Sequence, residues 1–476
     1  MKRINAMLVL LLACLAASSA GQVPVPDTPA GRQFTAWLTL FNRGDRDAYK
    51  EFIDKNYPSD HLPLDRAMAF REMTGGFDLR KVEPSTPDTQ IALLQERNSD
   101  QFARLTLAVD TAEPHKILGI DLRVVARPAE FPLPHLNASE LIAIARKQLD
   151  QEAAAGRFAG AALIARDGKP VLATAYGLSD RERKTANELK TRFRIGSMNK
   201  MFTATAILQL VQAGKLDLND PLGKYLSDYP NKDVATKVTI FHLLTHTGGT
   251  GDIFGPEFQA HRLELRTLDD YVKLYGNRPL EFEPGSKWAY SNYGFILLGA
   301  VIEKASGQSY YDYVRDHVFK PAGMTATGSE PEDQTVGNRS VGYTRMGGGE
   351  EHPNTETLPY RGTSAGGGYS TVEDLLKFAN ALEGHTLLDP HYTEMLTTGK
   401  VDTPMGGAGG ARYAFGFQDD TINGIRCFGH GGGAPGMNGE LEICPGAGYV
   451  VAVLANMDPP AASRISQFIT NRLPER

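Results

Sequence analysis

Two kinds of hydrophobic periodicity divide the chain into blocks. In residues 28–125, apolar positions recur every three or four residues in three segments, which predicts helices over RQFTAWLTLFNRG (32–44), RDAYKEFIDKNY (46–57) and LDRAMAFREMTG (64–75). Four segments of alternating character follow, which predicts strands over FDLRKVE (77–83), TQIALLQERN (89–98), QFARLTLAVD (101–110) and HKILGIDLRVV (115–125). Helices followed by consecutive antiparallel strands are typical of a small α+β domain.

The second block, residues 136–476, follows a proline-punctuated linker at 126–135, ARPAEFPLPH. It opens with a predicted helix, ASELIAIARKQLDQEAA, and a hairpin that turns at Asp167-Gly168. Its far end predicts three strands and a closing helix, over RCFGHGGG, NGELEIC, GYVVAVLAN and SRISQFITNRL. Strands at both ends with helices between them predict that the two ends meet in one antiparallel sheet.

The first twenty residues have the pattern of a secretory signal peptide. Lys2 and Arg3 precede the apolar run MLVLLLACLAA, and small residues follow up to a predicted cleavage after Ala20. A lipoprotein signal, with Cys14 carrying the lipid, is the less favoured alternative. We therefore expect an exported protein, periplasmic or secreted, without a membrane span, because no later run reaches about 18 apolar residues.

Composition narrows the choice of partners. The 476 residues are 41% hydrophobic and 22% charged, with 50 basic and 56 acidic residues and a net charge of −6. These values are ordinary for a globular protein, and no basic patch stands out. Nucleic acid and an anionic membrane are therefore not expected as partners.

Two cysteines, Cys427 and Cys444, remain after signal cleavage, and they flank a glycine-rich turn. A hairpin centred near Ala434-Pro435 would place them opposite each other, so a cross-strand disulfide is one alternative. Two independent buried thiols are the other, and we slightly favour the thiols.

The first candidate for chemistry is Ser197-Met198-Asn199-Lys200, at the mouth of an apolar stretch. Residues i and i+3 share a helix face, and a serine at a helix N-terminus lies near free N–H groups that suit an oxyanion. The alternative interpretation is structural, with Ser197 as the N-cap and Lys200 as a first-turn surface charge. The spacing alone favours the structural interpretation.

Two further stretches contain polar side chains that are candidates for the same site. In Tyr290-Ser291-Asn292, a phenol whose pKa is lowered by cationic neighbours can relay a proton, and an amide can hold a substrate. In His430-Gly431-Gly432-Gly433, the glycines let a substrate backbone lie against the strand. A core tyrosine with a capping asparagine, and a turn with a bystander histidine, are the structural alternatives.

These three stretches, in this order, resemble the serine β-lactamase-like superfamily, which includes class C β-lactamases, DD-peptidases, D-aminopeptidases and family VIII carboxylesterases. The resemblance covers about residues 137–470 and extends to segments outside the three motifs, namely LQLVQAGKLDLNDPLGKYL, HLLTHTGG, FEPGSKWAYSNYGFILLGAVIEKASGQSYYDYV, FKPAGMTAT and SAGGGYSTVEDLLKFANAL. It implies an α+β fold, with an antiparallel sheet flanked by helices and an all-helical lobe. Residues 28–125 are similar to the cone-shaped NTF2-like domains. A ligand pocket and a packing platform are both alternatives for the role of this block.

The resemblance also implies roles for single residues. Ser197 matches the acylated serine, Lys200 the lysine that assists its deprotonation, and Tyr290 the tyrosine that passes protons to the leaving group. Asn292 matches a substrate-contacting amide. The N–H groups of Ser197 and Gly433 match the oxyanion hole, where one donor is worth about 3 kcal/mol.

His430 departs from the β-lactamases, which carry a lysine at this position. A histidine is largely neutral at pH 7, so capture of a β-lactam carboxylate would weaken. We therefore expect an exported serine hydrolase that acts through an acyl-enzyme on small-molecule esters, amides or peptides, as an esterase or a D-amino-acid or DD-peptidase type enzyme. His430, Gly432 and Gly433 are predicted to bind substrate, and neither a metal nor an organic cofactor is expected. The alternatives are a β-lactamase proper and a non-catalytic cell-envelope binding protein.

Three other patterns are set aside. Ser364 lies in a G-x-S-x-G match, but a polar, proline-bearing segment precedes it instead of a buried strand. Gly431, Gly433 and Gly436 match G-x-G-x-x-G with a strand pattern after them, so no dinucleotide helix can open there. His242 and His246 are spaced like zinc ligands, but Leu243 replaces the metalloprotease glutamate, and a structural pair is favoured.

Overall fold

The computed structural model describes residues 23–58, 64–346, 350–404 and 411–475. The predicted signal peptide and Cys14 lie outside these ranges. The chain divides into two compact units, one ending at Val125 and the other beginning at Ala126. Within the described ranges, no helix combines the length and the apolarity needed to cross a membrane.

The described residues of the first unit form three helices and a four-stranded antiparallel meander in the order β1-β2-β3-β4. The elements are α1 Pro29–Arg43, α2 Arg46–Asn56, α3 Leu64–Thr74, β1 Phe77–Val82, β2 Thr89–Glu96, β3 Phe102–Val109 and β4 Ile117–Val125. Buried aromatic side chains fill the space between helices and sheet: Trp37 stacks on Phe41 at 5.2 Å between ring centroids, and Phe41 on Phe77 at 5.7 Å. The Trp37 indole N–H donates to the Tyr49 hydroxyl, which keeps both polar atoms paired inside this core.

The second unit is built on an eight-stranded antiparallel sheet in the order β13-β14-β15-β16-β17-β18-β5-β6. Its first half contains α4 Ala138–Ala154, β5 Gly160–Arg166, β6 Lys169–Tyr176, β7 Leu178–Asp180, β8 Thr185–Ala186, β9 Phe193–Gly196, α5 Asn199–Gln212, α6 Lys232–Lys237, α7 Ile240–Leu244, α8 Pro256–His261, α9 Leu268–Tyr275, α10 Asn292–Ser306, α11 Tyr310–Val314 and α12 Lys320–Ala322. Its second half contains β10 Tyr343–Thr344, β11 His352–Pro353, β12 Gly368–Ser370, α13 Val372–Glu383, α14 Pro390–Thr397, β13 Val401–Asp402, β14 Arg412–Tyr413, β15 Gln418–Ile422, β16 Ile425–Ala434, β17 Met437–Cys444, β18 Tyr449–Ala455 and α15 Ala461–Thr470.

The two ends of this unit meet as predicted, because β18 pairs with β5 over their whole lengths. The Asp167-Gly168 hairpin is confirmed, and both residues have the positive φ, 48° and 74°, that a two-residue turn between twisted strands requires. Helices cover both faces: α4 and α15 pack on one, while α5, α10 and α13 belong to the larger core on the other.

The slight preference for two free cysteines is wrong. Cys427 and Cys444 form a disulfide across the β16-β17 hairpin, with an S–S distance of 2.01 Å. The predicted hairpin register places them opposite each other, since the neighbouring pair Phe428 and Ile443 are direct partners. The side chains point to the face covered by α4 and α15, where both cysteines are buried.

Candidate active site

Ser197 occupies a tight turn between strand β9 and helix α5. Gly196 ends the strand with a φ of +50°, a left-handed conformation that suits glycine. The N-cap position belongs to Met198, which makes no side-chain cap, so the interpretation of Ser197 as an N-cap is wrong. The turn thus leaves the hydroxyl of Ser197 available for other contacts.

Lys200 lies one helical turn further on and is completely buried, so it is not a surface charge. Its Nζ donates to Ser197 Oγ at 3.3 Å, to Asn292 Oδ1 at 2.7 Å and to the Ala365 carbonyl at 2.6 Å. Burial lowers the pKa of Lys200 to about 7, and the negative charge of Asp252 opposes that shift. Near neutral pH this amine can therefore both accept and return a proton.

Tyr290 completes the set, since its hydroxyl shares a hydrogen bond with Ser197. The Lys200 Nζ lies 4.7 Å from the centre of the Tyr290 ring. Burial nevertheless raises the pKa of Tyr290 well above its usual value, contrary to the expectation that cationic neighbours lower it. Desolvation is the largest cause and the negative charge of Asp252 adds to it, so Tyr290 is a protonated phenol at neutral pH.

Asn292 is the first residue of α10 and lies between Lys200 and a carboxylate that the sequence analysis missed, Asp252. The Asn292 Nδ2 donates to Asp252 Oδ2 at 3.1 Å, and its backbone N–H donates to Asp252 Oδ1 at 2.9 Å. Asp252 lies within the irregular backbone between helices α7 and α8 and belongs to none of the three motifs, so no sequence pattern points to it.

His246, which the sequence predicted to be one of a structural pair with His242, packs against the Tyr290 ring. Its ring centroid lies 4.3 Å from that of Tyr290, and its Nδ1 accepts the backbone N–H of Ser291. Burial lowers the pKa of His246 well below its usual value, so the ring is neutral. His242, by contrast, caps helix α7 through a reciprocal box with Thr239. Among the described residues, no group of His, Cys, Asp and Glu is arranged to hold a metal ion.

His430 lies on β16 but is buried, with 3% of its surface exposed. Its Nδ1 lies 2.5 Å from the Gly431 carbonyl, which can only accept, so Nδ1 carries the proton and Nε2 accepts from the Tyr413 hydroxyl at 3.1 Å. Burial lowers the pKa of His430 to about 3, with Lys200 adding to the shift. His430 is therefore a neutral support of the site, and it does not line the cavity described below.

The glycines after His430 serve two different purposes. Gly433 is exposed, and its N lies 2.9 Å from where a Cβ on Gly196 would stand, which places it beside the Ser197 turn. Gly432 is buried, and a Cβ there would lie 1.9 Å from the Ile195 carbonyl oxygen. The space at Gly432 is thus taken by strand β9, where the sequence analysis had placed substrate.

Replacing Gly432 by Ala is expected to lower the free energy of unfolding by about 2 kcal/mol and to reduce turnover, because the methyl group forces β9 and the Ser197 turn away from β16. Thermal or urea unfolding and an ester assay measure both effects. Gly446→Ala is the matched control, since nothing lies within 4 Å of its Cβ position. A Gly432→Ala variant with unchanged stability and turnover would contradict this close packing.

A cavity of about 310 Å³ opens beside Ser197. Asn292, Gly366, Gly367 and Gly433 line the end of the cavity where Ser197 lies. The other walls come largely from two separate segments of the chain, one contributing Ile253, Phe254, Phe258 and Tyr271 and the other contributing Leu358 and Pro359. No ionisable Asp, Glu, Lys, Arg or His is found among the described residues that line it.

Ser364 of the G-x-S-x-G match is completely buried, and its hydroxyl packs against Gly299 of helix α10. The hydroxyl has no hydrogen-bond partner in the described structure, so it has no base to activate it. The adjacent Ala365 carbonyl, however, holds Lys200. The segment contributes backbone to the site, and its serine does not face the cavity.

A model of the Beta-lactamase family matches residues 145–473. A putative penicillin-binding protein PbpX of Bacillus subtilis is 34% identical over 248 residues, which are 52% of this chain and 60% of that protein. Esterase EstB of Burkholderia gladioli is 36% identical over 214 residues, which are 41% of this chain and 54% of that protein. The chain thus spans less than two thirds of the length of either relative.

Among solved structures, a D-stereospecific amidohydrolase from Streptomyces sp. is 28% identical with a TM-score of 0.59. The match covers 69% of this chain and 98% of that one. The predicted α+β fold, an antiparallel sheet with helices on its faces and a helical lobe, is confirmed by this likeness.

Proposed function

The chain belongs to the beta-lactamase family, and from that premise we propose that it is a serine hydrolase with Ser197 as its nucleophile. The observation that carries the proposal is the pairing of the Ser197 hydroxyl with a buried lysine whose pKa is lowered to about 7. A serine needs a neighbouring base, and an ordinary lysine would be protonated at neutral pH. Burial lowers the pKa of Lys200 enough for its neutral amine to act as that base.

In the proposed acylation step, Ser197 Oγ attacks the substrate carbonyl carbon while its proton passes to neutral Lys200 Nζ. About half of the Lys200 side chains are neutral at pH 7 when the pKa is near 7. Tyr290 does not act as the base, because its raised pKa keeps the phenol protonated. Its hydrogen bond to Ser197 instead gives a route by which the proton reaches the leaving group as the tetrahedral intermediate collapses.

The negative charge that forms on the substrate oxygen requires donors already in place. The Ser197 N–H donates to no backbone carbonyl in the described structure, and the exposed Gly433 lies directly beside the same turn. We assign the oxyanion hole to these two N–H groups. A water molecule then attacks the acyl-enzyme and Lys200 takes the proton of that water. As the bond between the acyl carbon and Ser197 Oγ breaks, Lys200 returns the proton to Ser197 Oγ and the acid is released.

The lining of the cavity favours ester or amide substrates whose acyl group is neutral and apolar. Its walls are aromatic and aliphatic, and a buried carboxylate would find no cation in the described lining. His430 offers no compensating charge, since it is neutral and faces Tyr413. These features favour an esterase or amidase over a β-lactamase or a peptidase that captures a terminal carboxylate. The relatives named as an esterase and an amidohydrolase support the same choice.

A panel of p-nitrophenyl esters tests this substrate class. Butyrate is expected to have a kcat/KM about tenfold above acetate, because two more methylenes are buried at about 0.8 kcal/mol each. Hemisuccinate, which has the same chain length and a carboxylate, is expected to be about 100-fold poorer than butyrate because the charge is buried unpaired. Equal turnover of butyrate and hemisuccinate, or a preference for D-Ala-D-Ala peptides or nitrocefin, would contradict the proposal.

We also propose that the protein is exported. The basic, apolar and small-residue pattern of residues 1–20 supports this, and so does the Cys427–Cys444 disulfide, which persists in oxidising compartments. Mass spectrometry of the mature N-terminus from culture fractions is the direct measurement. A new N-terminus at Gly21 corresponds to the signal peptide, and a lipid on Cys14 to the lipoprotein alternative.

A further inference from the structure

Asp252 belongs to none of the catalytic motifs, yet both oxygens of its carboxylate accept hydrogen bonds from Asn292. One oxygen accepts the Asn292 backbone N–H at 2.9 Å and the Ile253 N–H at 2.8 Å, and the other accepts the Asn292 side-chain N–H at 3.1 Å. Arg278 donates to the Asp252 backbone carbonyl at 2.7 Å, which fixes the chain at this point. The carboxylate is thus held in a defined position without a direct ion pair to that arginine.

The hydrogen bonds to Asp252 determine the orientation of the Asn292 side-chain amide. A carboxylate only accepts hydrogen bonds, so the amide must turn its NH₂ group to Asp252 and its oxygen to Lys200. The oxygen then accepts from Lys200 Nζ at 2.7 Å. With the amide reversed, two donors would face each other at Lys200, and two acceptors would face each other at Asp252.

The charges around Lys200 give Asp252 a second effect. His246 and His430 both face Lys200 and are neutral, while Tyr290 is a protonated phenol. Asp252 is a carboxylate close enough to stabilise the protonated lysine and to oppose the desolvation that lowers the pKa of Lys200.

We propose that Asp252 is a positioning residue, which acts through Asn292 to orient and charge-balance Lys200. This rests on the proposed function of Ser197 and Lys200. Asp252 does not line the cavity, but the residues directly after it, Ile253 and Phe254, do. The segment from Asp252 to Phe254 therefore both forms part of the acyl-binding wall and, through Asn292, fixes the position of Lys200 relative to that wall.

The variant Asp252→Asn tests the inference. Loss of the negative charge further lowers the pKa of Lys200, so the limb of the pH–kcat/KM profile that follows this lysine moves to lower pH by about 1 unit. Because the new amide also presents a donor to Asn292, kcat is expected to fall about 10- to 100-fold. KM stays within about twofold, since Asp252 does not touch the cavity where substrate binds.

Asp252→Glu separates charge from position. It is expected to restore the pH limb while kcat stays low, because the longer side chain displaces Asn292. Asp269→Asn is the matched control, an exposed carboxylate on helix α9 paired with Lys273, and its kinetics should equal those of the wild type. The double variant Asp252→Asn/Asn292→Ala should lose less than the product of the two single losses, because both act on one contact.

An unchanged pH limb in Asp252→Asn, with only a lowered melting temperature, would overturn the inference and leave a structural role. Labelling by a fluorophosphonate separates this failure from failure of the proposed function. Wild-type protein that labels while Ser197→Ala does not supports the hydrolase, whatever Asp252 does. If both label equally, the serine assignment fails first.

Discussion

Ser197→Ala is expected to reduce kcat for p-nitrophenyl butyrate by about 10⁴-fold or more, because removal of the nucleophile leaves only binding and the oxyanion donors. Fluorophosphonate labelling should disappear in the same variant. The substitution removes one oxygen from a partly exposed turn whose backbone is held by neighbouring strands, so the fold and the melting temperature should be unaffected.

Ser364→Ala is the control for this variant, because Ser364 lies in the rival G-x-S-x-G motif. Its hydroxyl is buried without a hydrogen-bond partner, so its removal should leave turnover and labelling unchanged and stability equal or slightly higher. The opposite pattern, with Ser364→Ala inactive and Ser197→Ala active, would refute the assignment of the nucleophile. Absence of both labelling and turnover in the folded wild-type protein would favour the non-catalytic binding protein.

Lys200→Met should lower kcat/KM at pH 7 by about 10³-fold, since it removes the base while keeping an unbranched side chain in the buried space. In the wild type, the neutral fraction of Lys200 grows as pH rises through about 7, so kcat/KM should rise with pH and level off above about pH 8. Because the lowered pKa comes first from burial, added salt should shift this midpoint little.

Lys215→Met is the control for Lys200→Met. Lys215 lies just beyond the other end of helix α5 and is exposed, so its replacement should leave kcat/KM and the pH profile unchanged. A Lys200→Met variant that retains the wild-type profile would exclude this lysine as the group that titrates near pH 7. Circular dichroism and thermal unfolding of the variants establish that the comparison is between folded proteins.

Much of the architecture could be predicted from local pattern. Helix α4 was predicted with its observed bounds, Ala138–Ala154, and in the structure a capping box between Asn137 and Glu140 starts it. The four strands of the first unit were each predicted to within two residues at either end, since alternation of apolar and polar residues is a local property. Joining the two ends of the second unit in one sheet also needed no coordinates.

Contacts between distant segments were the part that local pattern could not supply. Asp252 and Asn292 are 40 residues apart, and Tyr413 reaches His430 only because strands β14 and β16 lie on either side of β15 in the folded sheet. Gly432 looked like a substrate position until the backbone of β9 was found to fill its space. The disulfide depended in the same way on whether the hairpin brings two side chains to one face.

The sequence by itself therefore determined the two blocks and the order of their elements, because periodicity is carried by neighbouring residues. Its resemblance to a known family, and not the spacing of one motif, selected Ser197, Lys200 and Tyr290 as the predicted catalytic set. Only the tertiary structure decided the state of those groups. Burial brings Lys200 to a pKa of about 7 and His430 to about 3, while it keeps Tyr290 protonated. Desolvation is a property of everything packed around a side chain, and no single stretch of sequence contains it.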